Sequence, residues 1–398
     1  MLAGGAFAVP AEAQLQPEVP AALVRPQPLH VLPFDLYDGR IYVQASVAGS
    51  GARTFLVDTG AQLTHLSAEL VAETGLETFG GVSIMGTGRG RIDGNYVRPG
   101  TLGLGGVTLP VDTAITAPAE ALFGPVVASS GKRFDGVIGY DLFAAFVVEI
   151  DYLTRTMRLY APAGYTAPEG ADVVPISIVD NKPYLTGIVM LGGQPIEANF
   201  HLDTGSGGAI GFNGDFVAER DLLAIAGPTL ASTSRGVGGA TPARLGRAQS
   251  LTLGRTVLTG PFATYALAQG RGVSGHSAGR IGGAILRRFT VAINYSARSI
   301  ALVPNANFSR PLETDMSGVA LVSTAGGVEV SRVEPTSAGA EAGIRAGDRL
   351  IGIDGRSAAA LSLEAIRAML MQHGATRSLS ILRDGRELTL PITLRRRI

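Results

Sequence analysis

The chain has 398 residues, a formal net charge of zero and no cysteine. Disulfides, thiol catalysis and cysteine-bound zinc are excluded, and charge balance argues against nucleic acid as a generic partner. Hydrophobic residues make up 46% of the chain and charged residues 17%, enough for two or three packed domains and too apolar for global disorder.

Residues 1–14 read MLAGGAFAVPAEAQ. A short apolar stretch leads to Ala11-Glu12-Ala13, an A-x-A signal-peptidase pattern, without the basic segment that usually precedes it. The expectation is a signal-peptide remnant over 1–13 and a periplasmic or secreted protein of bacterial type; an Ala-rich tail is the alternative. Residues 14–33 are proline-rich and read as an extended linker. No apolar run reaches the roughly 18 residues needed to span a bilayer. The five histidines lack ligand spacing, so neither a metal nor a cofactor is expected.

Residues 34–162 read as short strands joined by glycine turns, and form a first lobe. Ile41 to Val47 alternates, and Thr54 to Val57 leads into Asp58-Thr59-Gly60-Ala61. Ser67 is a candidate N-cap for a helix stopped by Gly75. Gly86-Thr87-Gly88-Arg89-Gly90 is a glycine-dense loop between two strand-like runs. A hairpin follows about Gly105-Gly106, then Val137-Ile138-Gly139, then Glu149-Ile150-Asp151-Tyr152.

Residues 171–304 repeat that order. An apolar run ends in Asp203-Thr204-Gly205-Ser206, 145 residues after the first copy. Gly282 of Arg280-Ile281-Gly282 follows its aspartate by 79 residues, against 81 for Gly139. Tyr295 follows by 92, against 94 for Tyr152. Offsets this constant mean one lobe used twice. Residues 305–317 read as a linker, and 318–398 as a third, smaller unit. There a helix is expected from an N-cap at Ser362 to Gln372, and a hairpin about Asp384-Gly385.

An Asp-Thr-Gly turn alone closes many strands. Two copies at equivalent places in a duplicated lobe, each trailed by apolar-Ile-Gly, resemble the aspartic proteases of the retropepsin and pepsin group. The likeness covers roughly residues 34–304. It implies a mainly β fold: two pepsin/retropepsin-like β-barrel lobes forming one cleft, completed within a monomer. It also implies a catalytic pair, Asp58 and Asp203, supported by Thr59, Gly60, Ala61, Thr204, Gly205, Ser206, Gly139 and Gly282. Two carboxylates about 3 Å apart share one proton and activate a water for attack on a peptide bond, with no metal or cofactor. Ser206 can hydrogen-bond its carboxylate and Ala61 cannot. The pair is therefore expected to titrate together and to work nearer neutral pH than a site with Ser at both places.

Gly86, Thr87 and Gly88 lie where that group carries its flap. The matching Arg235–Gly239 stretch is either a second flap or an ordinary mobile loop. Gly275-His276-Ser277-Ala278-Gly279 matches G-x-S-x-G, but lacks the strand before it and helix after it that a serine hydrolase needs. His65 and His201 are read as packing or surface residues. Residues 337–355 resemble a PDZ domain of the protease-associated kind, a small α+β unit. The likeness places Gly318, Val319, Ala320 and Leu321 at the loop that holds a peptide C-terminus. The partners implied are protein or peptide substrates, and peptide C-termini at the PDZ unit. A peptide-binding protein on a degenerate protease scaffold is the competing reading. Arg395-Arg396-Arg397 is taken as a solvated strand end.

Overall fold

A computed structural model describes residues 26–123, 133–270, 272 and 275–398. The expected signal-peptide remnant and residues 14–25 of the expected linker lie outside them. The linker's last four residues, His30–Pro33, form a strand instead, antiparallel to Thr156–Tyr160. Leu32 is buried there against Gly105, whose missing side chain makes the room.

Each lobe is one ten-stranded sheet, and strand order is the same in both. In the first lobe the order is Thr78–Ile84, Ile92–Val97, Ala114–Ala117, His65–Ser67, Gly136–Ile138, Arg53–Val57, Arg40–Val47, Gly100–Leu104, Val107–Val111. In the second it is Leu230–Gly236, Gly239–Arg247, Phe262–Ala266, Ile210–Phe212, Gly279–Gly282, Gln194–Asp203, Lys182–Leu191, Ser250–Leu253, Thr256–Thr259. The duplication read from residue offsets is thus a duplication of topology. Local signals account for the details. Ser67 accepts from the Leu70 N–H at the start of the helix Ala68–Thr74, and Gly75 ends it in the left-handed conformation.

Strand Val147–Asp151 of the first lobe pairs antiparallel with Phe289–Asn294 of the second. They are the centre of a six-stranded sheet that runs under both lobes. Val148, Ile150, Val291 and Ile293 are fully buried in it, and one continuous apolar core crosses the lobe boundary.

The C-terminal unit has its own core. Its sheet runs Val319–Thr324, Gly327–Val333, Arg349–Ile353, Thr376–Arg383, Arg386–Thr393, with Val319–Thr324 at a free edge. The Asp384-Gly385 turn holds both residues at positive φ, as a tight hairpin requires. Ser362 caps the helix as expected, but the helix is Leu363–Met369, shorter than the segment to Gln372. The Leu370 carbonyl instead accepts from Met316 N–H, tying the helix end to the connector. Arg395 and Arg396 are exposed, as expected of a solvated end, and Arg395 pairs with Glu341, Arg396 with Glu313 and Arg397 with Glu334. No helix among the described residues is long and apolar enough to cross a membrane.

Candidate active site

The two Asp-Thr-Gly turns meet where the lobes meet. Thr59 N–H donates to Thr204 Oγ1 at 3.0 Å, and Thr204 N–H donates to Thr59 Oγ1 at 3.0 Å. Each hydroxyl then donates to a carbonyl of the opposite lobe, Thr59 to Leu202 (2.6 Å) and Thr204 to Val57 (3.0 Å). Both threonines are fully buried. Four hydrogen bonds related by the internal two-fold lock the loops together in a setting where unmade bonds are costly.

Both carboxylates have an oxygen close to the Gly60 turn. A Cβ built on Gly60 would stand 2.9 Å from Asp58 Oδ1 and 3.4 Å from Asp203 Oδ1, and one built on Gly205 would overlap the Asp58 carboxylate. Glycine at these positions is a requirement of close approach. Gly60 N–H donates to Asp58 Oδ1 at 2.6 Å. Burial, and then the neighbouring Asp203 charge, push the Asp58 carboxyl up to about 7; the Gly60 hydrogen bond, Lys182 and Arg40 oppose the rise.

The apolar-Ile-Gly strands lie beneath. Gly136–Ile138 runs parallel to Arg53–Val57, and Gly279–Gly282 pairs Gly282 with Asp203. A side chain on Gly139 would meet Leu63 O at 2.8 Å, and one on Gly282 would meet Gly208 O at 2.6 Å and Ser206 O at 2.7 Å. Ala61 O accepts from Tyr140 N–H and Ser206 O from Gly283 N–H, so both loops hang from the glycine segments in the same way. One expectation changes. Ser206 N–H donates to Asp203 O at 3.2 Å, but among the described residues its hydroxyl makes no hydrogen bond to the Asp203 carboxylate; Oγ lies 3.0 Å from where a Cβ on Gly282 would stand. The raised Asp58 carboxyl is accounted for by burial and the neighbouring Asp203 charge.

Several site residues escaped the sequence reading. Arg40 Nε donates to Gly205 O at 2.7 Å, from the opposite lobe, while its guanidinium pairs with Asp38. In the second lobe Asn181 Nδ2 donates to Gln62 O at 3.1 Å. These contacts come from matching turns, Asp38-Gly39-Arg40 and Asp180-Asn181-Lys182, each clamping the other lobe's loop. The repeated Asp-x-basic turn was the available signal. His201 is half-buried and packs against the Gly60 turn, the first of its two expected roles, and burial lowers its imidazole to about 4. Burial lowers His65 to about 4 as well.

The loop at Gly86, Thr87 and Gly88 caps the hairpin Thr78–Ile84/Ile92–Val97. Arg235–Gly239 forms the tip of the hairpin Leu230–Gly236/Gly239–Arg247. The tips touch: Gly88 N–H donates to Val237 O (2.9 Å) and Gly90 N–H to Gly238 O (2.7 Å). Gly272 N–H adds a bond to Gly86 O at 2.8 Å. Ser277 precedes a strand rather than following one, so the G-x-S-x-G match lacks its nucleophile turn.

In the C-terminal unit, the Gly318–Leu321 loop differs from the expectation. Gly318 N–H donates to Asp315 Oδ1 (2.6 Å) and Val319 N–H to Ser317 Oγ (3.0 Å). Two donors that a peptide carboxylate needs are thus taken by the chain's own side chains. Leu321 O accepts from Arg367 Nη2 at 3.0 Å.

Residues 43–142 match the family model for aspartyl protease, and residues 329–383 match that for the PDZ domain. Among solved structures, the aspartic proteinase from Irpex lacteus is similar over 71% of this chain and 98% of its own, with a TM-score of 0.43 and 16% identity. No curated protein sequence matches. The chain thus resembles an aspartyl protease joined to a PDZ module, with the mainly β architecture described above.

Proposed function

We propose that this chain is an aspartic endopeptidase whose nucleophilic water is held between Asp58 and Asp203. The observation that carries the reading is the reciprocal Thr59–Thr204 brace, which ties the two Asp-Thr-Gly turns together. One proton is shared by the pair. The ionised carboxylate takes a proton from the water, and the protonated one donates a hydrogen bond to the scissile carbonyl oxygen. Water oxygen bonds to the carbonyl carbon; the C–N bond then breaks, and the amine leaves with a proton returned by the pair. The two touching hairpins act as flaps that lift to admit an extended chain. One chain carries both halves, so a monomer suffices. The A-x-A pattern at Ala11–Ala13 favours export.

The test is cleavage of an unfolded protein across pH 2–8. Activity is expected to fall as pH rises through about 7, where Asp58 loses the shared proton and both carboxylates carry charge. A maximum near pH 2 contradicts the expectation that the pair works nearer neutral pH. Peptide binding without cleavage anywhere in this range favours the non-catalytic scaffold.

The PDZ unit supplies a docking strand. The free edge of Val319–Thr324 suits addition of a peptide strand, and a bound C-terminus displaces Asp315 from Gly318. Removal of residues 318–398 is expected to lower cleavage of a protein substrate at least about fivefold more than that of a short peptide, the loss of a tethering advantage. Equal losses on both substrates argue against tethering.

A further inference from the structure

Side chains alternate along a strand, so the residue two before each aspartate faces the cleft with it, as does the residue two before each following glycine. In the first lobe these are Leu56 and Val137, paired in register. They belong to a buried apolar cluster with Tyr42, Ile84 and Phe134. In the second lobe the same register positions hold His201 and Arg280. The duplication keeps the frame and changes the chemistry of one wall.

Arg280 is half-buried and lines a small cavity with Thr87 of the first flap, Ser234 and Thr241 of the second hairpin, Asn213 and Gln269. Among the described residues its side chain makes one hydrogen bond, from Nη2 to Ser234 Oγ at 3.3 Å. Among the described residues it makes no ion pair; Asp203 acts on it only as a nearby charge. A guanidinium carries five N–H donors, and drawing it out of water with one weak bond is unfavourable unless an anion completes it. The planar fork fits a carboxylate in bidentate fashion. His201, held neutral by burial, adds no competing charge at pH 6.

We propose that Arg280 is the specificity residue of a side-chain subsite beside the scissile bond, and that the subsite takes Asp or Glu. The preferred bond then joins an apolar residue, seated against Leu56 and Val137, to an acidic one, seated against Arg280. This rests on the endopeptidase reading and adds the substrate class.

The test uses the full chain at pH 6, where a substrate Glu is ionised. Matched peptides carry Glu or Gln on either side of a central apolar residue. The wild type is expected to favour Glu at one flanking position by about tenfold or more in kcat/KM, the size of a charge-assisted hydrogen bond in a partly buried site. Arg280→Met should remove the preference, Arg280→Lys should keep part of it, and Arg280→Glu should shift it toward Lys. Equal cleavage of Glu and Gln peptides by the wild type, a comparison needing no variant, overturns the subsite while leaving the protease reading in place. So does an equal loss on both peptides in Arg280→Met, which assigns the arginine to the charge balance of Asp203. If the wild type cleaves no peptide, the protease reading falls and binding decides the subsite. Glu peptides that bind about tenfold tighter than Gln peptides, with the difference lost in Arg280→Met, support it; equal affinities overturn it.

Discussion

Asp58→Asn is expected to abolish peptide cleavage and also to stabilise the fold above pH 7. The first effect follows from the shared proton: an amide can neither hold it nor lose it, and a fall in kcat of at least about a thousandfold is expected. The second follows from burial. An unfolded chain releases the Asp58 proton near pH 4, whereas the folded chain holds it up to about 7. Below pH 4 both states are protonated and nothing is lost. Between 4 and 7 the folded state binds one proton more, so stability declines as pH rises, and above 7 the full penalty of the buried charge is present. The amide variant carries no such penalty. Because the carboxylate opens onto the cleft, the gain at pH 8 is set at about 2–3 kcal/mol, vanishing near pH 4. Urea denaturation at the two pH values checks it. A variant less stable than wild type at pH 8 contradicts the assignment of Asp58 as the raised carboxyl.

Thr204→Val should be the most damaging isosteric change in the molecule. It leaves Thr59 N–H without its acceptor and Val57 O without its donor, both buried at the lobe junction. A loss of about 2–4 kcal/mol in unfolding free energy is expected. Activity should fall about tenfold to a hundredfold in the protein that remains folded, because the carboxylates lose their spacing. Thr204→Ser retains the hydroxyl and should recover most of both. If valine costs under about 0.5 kcal/mol, the brace is not what joins the loops.

Much of the frame was legible because it depends on short-range patterns repeated twice. Asp58 and Asp203, Gly139 and Gly282, and the Ser67 and Ser362 caps each sit in a local signature whose physics needs no partner elsewhere. What was not legible depends on the meeting of distant segments. Arg40 reaches Gly205 across 165 positions of sequence. Ser206 is turned by the Gly282 segment beneath it, and Gly318 is filled by Asp315 from the connector. His30–Pro33 looked like linker because proline content outweighed Leu32, the residue that fixes it as a strand. Arg280 was visible as a letter within Arg280-Ile281-Gly282, but its meaning appears only when register sets it beside His201, at the place Val137 holds in the first lobe.

The six-stranded sheet under both lobes has a mechanical consequence. With Val148 locked against Ile293 in a closely packed layer, the lobes cannot swing apart without breaking the core. Jaw width is therefore a constant of the molecule, and aperture is set from above by glycine tips held together by backbone bonds. If the proposed function holds, a polypeptide is expected to reach the carboxylates as a single extended thread, with compact domains turned away by geometry before any side chain is read.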